Sequence, residues 1–157
     1  MTPGTIVVPD QIIDYTHGRD ATFYDTRDAT YTNANFTLPY CQKLRDRILR
    51  SAGIVQQPCV DGGVYAATQG PRLDSIAEIN RYERDGADMV GMTGMPETAL
   101  AMELELNYAI IAVVVNYAAG RGDSKQGINM EQVNAAASAA MERVRSILEC
   151  LVSCNGD

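Results

Sequence analysis

A run of β-branched residues that ends on one amide side chain constrains the fold more than any other feature of this sequence. Residues 113–115 are all valine, Asn116 follows them directly, and Gly120 comes four residues later. Such a run is typical of a buried strand, and open α/β sheets bind ligands outside the carboxyl ends of their strands. Asn116 is therefore a candidate for ligand recognition. The alternative, that Asn116 only begins the turn leading to Gly120, stays open.

Length and charge narrow the classes of function. The chain has 157 residues, of which 46% are hydrophobic, and this is enough for one compact domain over residues 1–157. Its 13 basic and 20 acidic residues give a formal net charge of -7. An acidic chain has no electrostatic attraction for a phosphate backbone, so we expect no nucleic-acid partner.

The sequence also bears on compartment and metal binding. No apolar run is long enough to cross a bilayer, and the first residues lack the charged start and apolar centre of a signal peptide. The spacing of the cysteines matches neither a zinc site nor a disulfide framework, and His17 is the single histidine. We therefore predict a cytoplasmic protein with free thiols, no membrane association and no metal. The cysteines are Cys41, Cys59, Cys150 and Cys154.

Strand and helix signals alternate along the chain, which predicts an α/β fold. Residues 15–39 interrupt this alternation with a stretch rich in Thr, Asp, Asn and Tyr, and loops of such length are usually functional or disordered. We expect this loop to serve in binding or as an interface. The predicted strands cover residues 5–9, 63–68, 88–92 and 110–115. The predicted helices cover residues 40–52, the residues between Asp74 and Gly86, a segment from 96 and a segment from 129.

Individual residues predict where these helices begin and end. Gly53 is expected to end the first helix, and Asp74 can cap the second. Pro96 suits the first turn of the third helix, and Asn129 with Gln132 forms an approximate capping box for the last one. The last helix carries an apolar stripe that predicts core packing. The strand ends at residues 69–74, 92–93 and 116–118 are then expected to converge on one crevice.

Four segments, in order along nearly the whole chain, resemble the trimeric purine nucleoside phosphorylase family, in its methylthioadenosine and methylthioinosine phosphorylase branch. The block Gly-Met-Thr-Gly-Met-Pro-Glu at residues 91–97 is highly specific. The resemblance implies a mixed sheet flanked by helices, a homotrimer, and phosphorolysis, in which phosphate attacks the anomeric carbon of a nucleoside while the purine departs. It implies no cofactor beyond phosphate as cosubstrate. The four segments are residues 7–14, 69–73, 91–97 and 115–118.

The resemblance makes Asn116 the catalytic residue that interacts with the departing base. A donor beside the purine stabilises the negative charge that develops there in the transition state. Relatives that cleave 6-aminopurines carry Asp at this position and usually again two residues later, where this chain has Ala118. An amide can donate to O6 or N7 of a 6-oxopurine, so the substrate implied is a 6-oxopurine nucleoside, with S-methyl-5'-thioinosine favoured.

Neighbouring positions complete the implied base pocket. Asp74 stands where 6-oxopurine members carry an acid, which can accept the N1–H of the base, and a helix cap is the alternative role of Asp74. Leu73 stands where many relatives place Phe against the purine, so an apolar lid would remain with weaker stacking. Tyr117 and Ala118 adjoin Asn116 and belong to the same expected pocket.

The resemblance also assigns the sugar and phosphate contacts. Met92 corresponds to the methionine under the sugar and Thr93 to a hydroxyl that holds phosphate, although a strand-end methionine and a turn threonine are the structural alternatives. Met130 falls near the 5′ end of the nucleoside, where its thioether suits a methylthio group better than a hydroxyl. The loop alignment at Met130 stays open.

The chain lacks a match to the first third of a family member, which carries a Gly-rich phosphate loop and an Arg-His pair. We therefore expect the base- and sugar-binding part of an N-terminally truncated phosphorylase, inactive and marginally stable alone. The alternative is an inactive remnant that binds purine or only oligomerises. Asn33 stands where relatives often offer a His to a neighbouring subunit. The roles of Gln69, Arg72 and His17 are left open.

Overall fold

A pair of parallel strands, interrupted once, forms the centre of the fold. The computed structural model describes residues 1–24 and 34–153. Strands and helices alternate through these residues, which confirms the predicted α/β class. The strands are β1 (Ile6–Val8), β2 (Gln11–Asp14), β3 (Cys59–Asp61), β4 (Val64–Ala67), β5 (Met89–Gly91) and β6 (Ala112–Val113), and the helices are α1 (Gln42–Ile54), α2 (Ile76–Arg84), α3 (Glu97–Glu103) and α4 (Met130–Ser153).

The central pair consists of β1 and β3, which continue after a short interruption as β2 and β4. The interruption does not change the register between the two paired segments. Ile6 of β1 lies opposite Cys59 of β3, and Gln11 of β2 lies opposite Val64 of β4, which is the same offset along the sequence. Pro9 has no backbone N–H to donate, and the two glycines at 62–63 adopt φ values of 88° and 115°. These residues end β1 and β3 and allow β2 and β4 to begin in a new direction.

The strands form two three-stranded sheets, of which one has the mixed pairing that the resemblance implies. One has the order β3-β1-β6 and is mixed, since β6 runs antiparallel to β1, and the other has the order β2-β4-β5 and is parallel. β5 and β6 lie on opposite edges of the central pair, yet Ala112 of β6 packs against the buried cluster around Tyr65 and Ala67 of β4. The two sheets therefore curl toward each other.

Several predicted element boundaries are wrong in detail. The strand expected over residues 110–115 is reduced to Ala112–Val113, and β2 and β3 were not among the predicted strands. Gly53 was expected to end α1 but lies within it, since α1 ends at Ile54. The left-handed conformation that follows the helix is adopted by Gln56, with φ 55°, and not by the glycine. Pro96 directly precedes the first residue of α3.

The cap of α2 is Ser75, which corrects the assignment of Asp74 to that role. The Ser75 hydroxyl accepts a hydrogen bond from the backbone N–H of Glu78, and the Glu78 carboxylate accepts one from the backbone N–H of Ser75. This reciprocal capping box leaves the side chain of Asp74 available for other contacts. Asn129 is confirmed as the cap of α4, since its side-chain oxygen accepts from the N–H groups of Glu131 and Gln132.

The main core lies between β1 and two helices. Ile6 and Val8 pack against α1 and against Val144 and Ile147 of α4. The predicted apolar stripe of α4 is thus confirmed in its second half, while Val133 near its start borders a cavity. Through the described ranges, no helix is long and apolar enough to cross a membrane. Cys41 and Cys59 are free thiols, and Cys154 lies outside the described residues.

A buried arginine holds α1 to the interruption of the central strands. The guanidinium of Arg45, 4% exposed, donates to the backbone oxygens of Val8 and Pro9 at 3.0 and 2.9 Å. It also forms an ion pair with the Asp61 carboxylate, which is largely exposed. Because Asp61 is hydrated, the two backbone contacts carry most of the stabilisation.

Replacing Arg45 by Met keeps the packing of the side-chain stem and removes the donors. We expect the free energy of unfolding to fall by about 1–3 kcal/mol, because the Pro9 carbonyl loses its buried donor. Urea unfolding of the wild type and of Arg45→Met measures this loss. Arg50→Met, a matched change at an exposed position of α1, should stay within about 0.5 kcal/mol of wild type. Equal losses in the two variants would contradict this role of Arg45.

Candidate functional site

A cavity of about 750 Å³ lies between β5 and β6, at the carboxyl ends of the strands. These two strands belong to different sheets and are only half-buried, so their facing edges line the cavity. The expected convergence of strand ends on one crevice is therefore confirmed as a matter of geometry. The predicted base and sugar residues that line the cavity are Leu73, Asp74, Met92, Asn116, Tyr117, Ala118 and Met130.

Asn116 follows β6 and presents a half-buried amide to the cavity. Its nitrogen donates one hydrogen bond, of 2.7 Å, to the backbone oxygen of Tyr117. A side-chain amide nitrogen carries two N–H groups, so this contact orients the amide and leaves the second N–H for a ligand. The turn that follows is closed by the backbone N–H of Arg121, which donates to the oxygen of Ala118.

Asp74 is held by two hydroxyl groups. Its carboxylate oxygens lie 3.3 Å from the Thr68 hydroxyl and 3.3 Å from the Tyr82 hydroxyl. A phenol is protonated at neutral pH, and burial, followed by the nearby charge of Asp74, raises the pKa of Tyr82 further, so its hydroxyl is the donor to Asp74. The carboxylate that borders the cavity is thus an oriented acceptor.

The sugar and phosphate candidates lie after β5. Met92 lines the cavity and packs against Gly70, where an added Cβ would lie 2.6 Å from the Met92 sulfur. Thr93 is exposed and is not among the residues that line the cavity. Its hydroxyl lies 3.2 Å from the hydroxyl of Tyr65, and Tyr65 does line the cavity. Gly91 permits this approach, because a Cβ there would meet the Tyr65 hydroxyl at 2.0 Å.

Arg19 supports the strand ends beside the cavity, and the sequence analysis did not indicate this role. Its guanidinium donates to the backbone oxygens of Thr68 and Gln69, after β4, and of Met92 and Met95, after β5. It therefore ties together the two strand ends that carry the candidate residues. No motif or spacing could have indicated this role, because its partners are main-chain carbonyls, which every sequence offers.

The residues without an assigned role take part in local structure. The backbone N–H of His17 donates to the side-chain oxygen of Gln69 at 3.0 Å. Arg72 binds both carboxylate oxygens of Glu78, at 2.6 and 2.8 Å, and these hydrogen bonds hold the pKa of Glu78 far below its usual range. Asn33 lies outside the described residues.

The rim of the cavity is apolar and open. The side chains of Leu73 and Met130 are 51% and 54% exposed, respectively. Tyr117 packs against Gly122, where an added Cβ would come within 2.5 Å of the ring. Over residues 1–24 and 34–153, no group of three or more His, Cys, Asp or Glu side chains could hold a metal ion.

Comparison with known proteins supplies relatives for this arrangement. The family model of the phosphorylase superfamily matches residues 1–153. The chain is 46% identical, over 98% of its length, to a probable S-methyl-5'-thioinosine phosphorylase of Pseudomonas syringae, and 43% identical, over 80%, to a 6-oxopurine nucleoside phosphorylase of Pyrococcus furiosus. It spans only 61% and 49% of the length of these two relatives.

A solved structure has the same fold. Methylthioadenosine phosphorylase from Schistosoma mansoni, in complex with adenine, superposes with a TM-score of 0.88 at 26% sequence identity. The match covers 99% of this chain and 61% of the other. The family match over nearly all of the chain and the two sequence relatives agree with this likeness, and the chain therefore belongs to the phosphorylase superfamily.

Proposed function

We propose that these residues form the base- and sugar-binding part of an enzyme that cleaves a 6-oxopurine nucleoside by phosphorolysis. The proposed substrate is S-methyl-5'-thioinosine, and the products are hypoxanthine and a methylthioribose 1-phosphate, as in purine salvage. The observation that carries this proposal is the presence of Asn116 and Asp74 on one cavity at the strand ends. The names of the two sequence relatives support the same substrate class.

The proposed catalytic role belongs to Asn116. As the bond to the sugar breaks, negative charge grows on O6 and N7 of the leaving purine, and an amide N–H beside these atoms stabilises the transition state more than the substrate. The hydrogen bond from Asn116 to the Tyr117 oxygen orients the amide before substrate binds. Ala118 provides no acceptor for an exocyclic amino group, which also favours 6-oxopurines.

The remaining contacts follow from the lining of the cavity. Asp74 accepts the N1–H that the 6-oxo tautomer offers, and Met92 packs under the sugar. Thr93 binds phosphate together with the neighbouring Tyr65 hydroxyl. Met130 faces the 5′ substituent. No cofactor is required besides phosphate as cosubstrate, and we propose a homotrimer for the whole enzyme, with the 15–39 loop at its interface.

Base selectivity tests the role of Asn116. The chain should bind hypoxanthine more tightly than adenine. Asn116→Asp should shift the preference toward adenine, because a carboxylate and the O6 atom of hypoxanthine are both hydrogen-bond acceptors and repel each other. Loss of such a hydrogen bond costs about 1–3 kcal/mol, or about ten- to a hundredfold in the ratio of dissociation constants measured by calorimetry. Asn134→Asp, the same change at an exposed position of α4, should leave the ratio unchanged. Equal binding of the two bases by the wild type would rule out the substrate assignment.

The 5′ pocket gives a second test. S-methyl-5'-thioinosine should bind more tightly than inosine by about fivefold or more, because burying a 5′ hydroxyl without a partner is unfavourable. Met130→Gln keeps the length of the side chain and adds polar atoms, so it should reduce this ratio. Met141→Gln provides the control, since Met141 is exposed to the same degree on the same helix. A ratio that is insensitive to Met130→Gln would place the 5′ end elsewhere.

Turnover separates an enzyme from a binding remnant. Phosphate carries nearly two negative charges, and phosphate sites normally gather several donors, whereas this site offers the hydroxyls of Thr93 and Tyr65. We expect the 157 residues alone to bind hypoxanthine but to release it from S-methyl-5'-thioinosine far more slowly than the Pseudomonas syringae relative does. Phosphate-dependent hypoxanthine release measures both proteins. Comparable turnover would contradict this account of the phosphate site.

A further inference from the structure

The Asp74 carboxylate is held from behind by side chains that the proposed reaction does not use. Tyr82 and Thr68, which are 7% and 1% exposed, each place a hydroxyl 3.3 Å from a different oxygen of this carboxylate. The Thr68 hydroxyl also lies 3.4 Å from the backbone oxygen of Gly91, so it is shared between two acceptors. Tyr82 has Asp74 as its hydrogen-bond acceptor and is the more specific of the two contacts.

Tyr82 is itself fixed by its neighbours. Its ring packs on that of Tyr15, with the ring centres 4.6 Å apart. The Tyr15 hydroxyl donates to the Asp85 carboxylate at 2.6 Å, and the Arg81 guanidinium lies 5.1 Å from the centre of the Tyr15 ring. The packing of the two rings, which does not depend on the Tyr15 hydroxyl, holds the Tyr82 ring against the residue that follows β2, so the Tyr82 hydroxyl has a fixed position relative to Asp74.

The orientation of Asp74 matters because a carboxylate can accept hydrogen bonds from both kinds of purine. A 6-oxopurine presents N1–H as a donor, whereas a 6-aminopurine presents a lone pair at N1 and donors on the exocyclic nitrogen. A carboxylate free to turn would adapt to either pattern. A carboxylate fixed opposite N1 binds the 6-oxopurine and repels the N1 lone pair of the 6-aminopurine.

We propose that Tyr82 is a positioning residue for base selectivity, which holds the Asp74 carboxylate where it distinguishes N1–H from an N1 lone pair. The proposal rests on the proposed function, since it assumes that the cavity binds the base. Tyr82 acts through Asp74 and need not touch the base. Thr68 contributes in the same direction through the second carboxylate oxygen.

The test is the ratio of the adenine and hypoxanthine dissociation constants, measured by calorimetry on the chain and its variants. Tyr82→Phe removes only the hydroxyl, and we expect the preference for hypoxanthine to fall about three- to tenfold. Thr68→Val, which replaces the other hydroxyl by a methyl group, should lower the same ratio. Tyr15→Phe removes a tyrosine hydroxyl from the same aromatic pair, away from Asp74, and should leave it unchanged. Because each ratio comes from one protein sample, a partly unfolded fraction does not alter it.

A double-variant cycle distinguishes positioning from general loosening of the fold. In an Asp74→Ala background there is no carboxylate to hold, so adding Tyr82→Phe should not change the ratio further. A continued effect of Tyr82→Phe in that background would overturn the proposal, as would an equal effect of Tyr15→Phe. If the wild type prefers hypoxanthine and both Tyr82→Phe and Thr68→Val retain that preference, the positioning role alone fails. If the wild type binds the two bases equally, the proposed function fails as well.

Discussion

The interruption of the central strand pair determines where every other part of the site can lie. Pro9 and the glycines at 62–63 end one parallel pair and begin another in the same register. β6 can then pair with β1, and β5 can pair with β4, without β5 and β6 becoming edges of one flat sheet. The cavity exists because these two edge strands face each other across the curl and do not pair. Arg45 stabilises the interruption from the helix side.

Backbone geometry shapes the site as much as side-chain chemistry does. The guanidinium of Arg19 donates hydrogen bonds to the carbonyls at the ends of β4 and β5, so one side chain reinforces the backbone pairing of these two strands where they reach the site. Gly70 and Gly91 then admit the Met92 sulfur and the Tyr65 hydroxyl at separations that a Cβ would prevent. Substitutions at these glycines would disturb the candidate residues without touching a ligand.

Short-range patterns predicted the features that depend on short-range physics. The valine run predicted a strand shortly before Asn116, although that strand ends at Val113. The block at 91–97 indicated Met92 and Thr93 as candidates, although it could not show that Thr93 stands outside the cavity lining. The spacing of Ser75 and Glu78 is a capping-box signal, so the correct cap of α2 was available from the sequence, and the adjacent Asp74 obscured it. The roles of Arg19 and Tyr82 depend on partners distant in sequence, which no local pattern encodes.

The acceptors of Arg19 have an electrostatic consequence. Arg45, Arg72, Arg81 and Arg121 each pair with a carboxylate, whereas within residues 1–24 and 34–153 the hydrogen-bond acceptors of Arg19 are uncharged carbonyls. Hydrogen bonds to carbonyls do not neutralise a guanidinium, so the described residues place one positive charge beside the ends of β4 and β5 in a chain whose formal net charge is -7. The Arg19 charge attracts anions at these strand ends, whereas the net charge of the chain repels them. Salt screens such fields over about 8 Å at physiological ionic strength, so this attraction acts at short range, close to the strand ends.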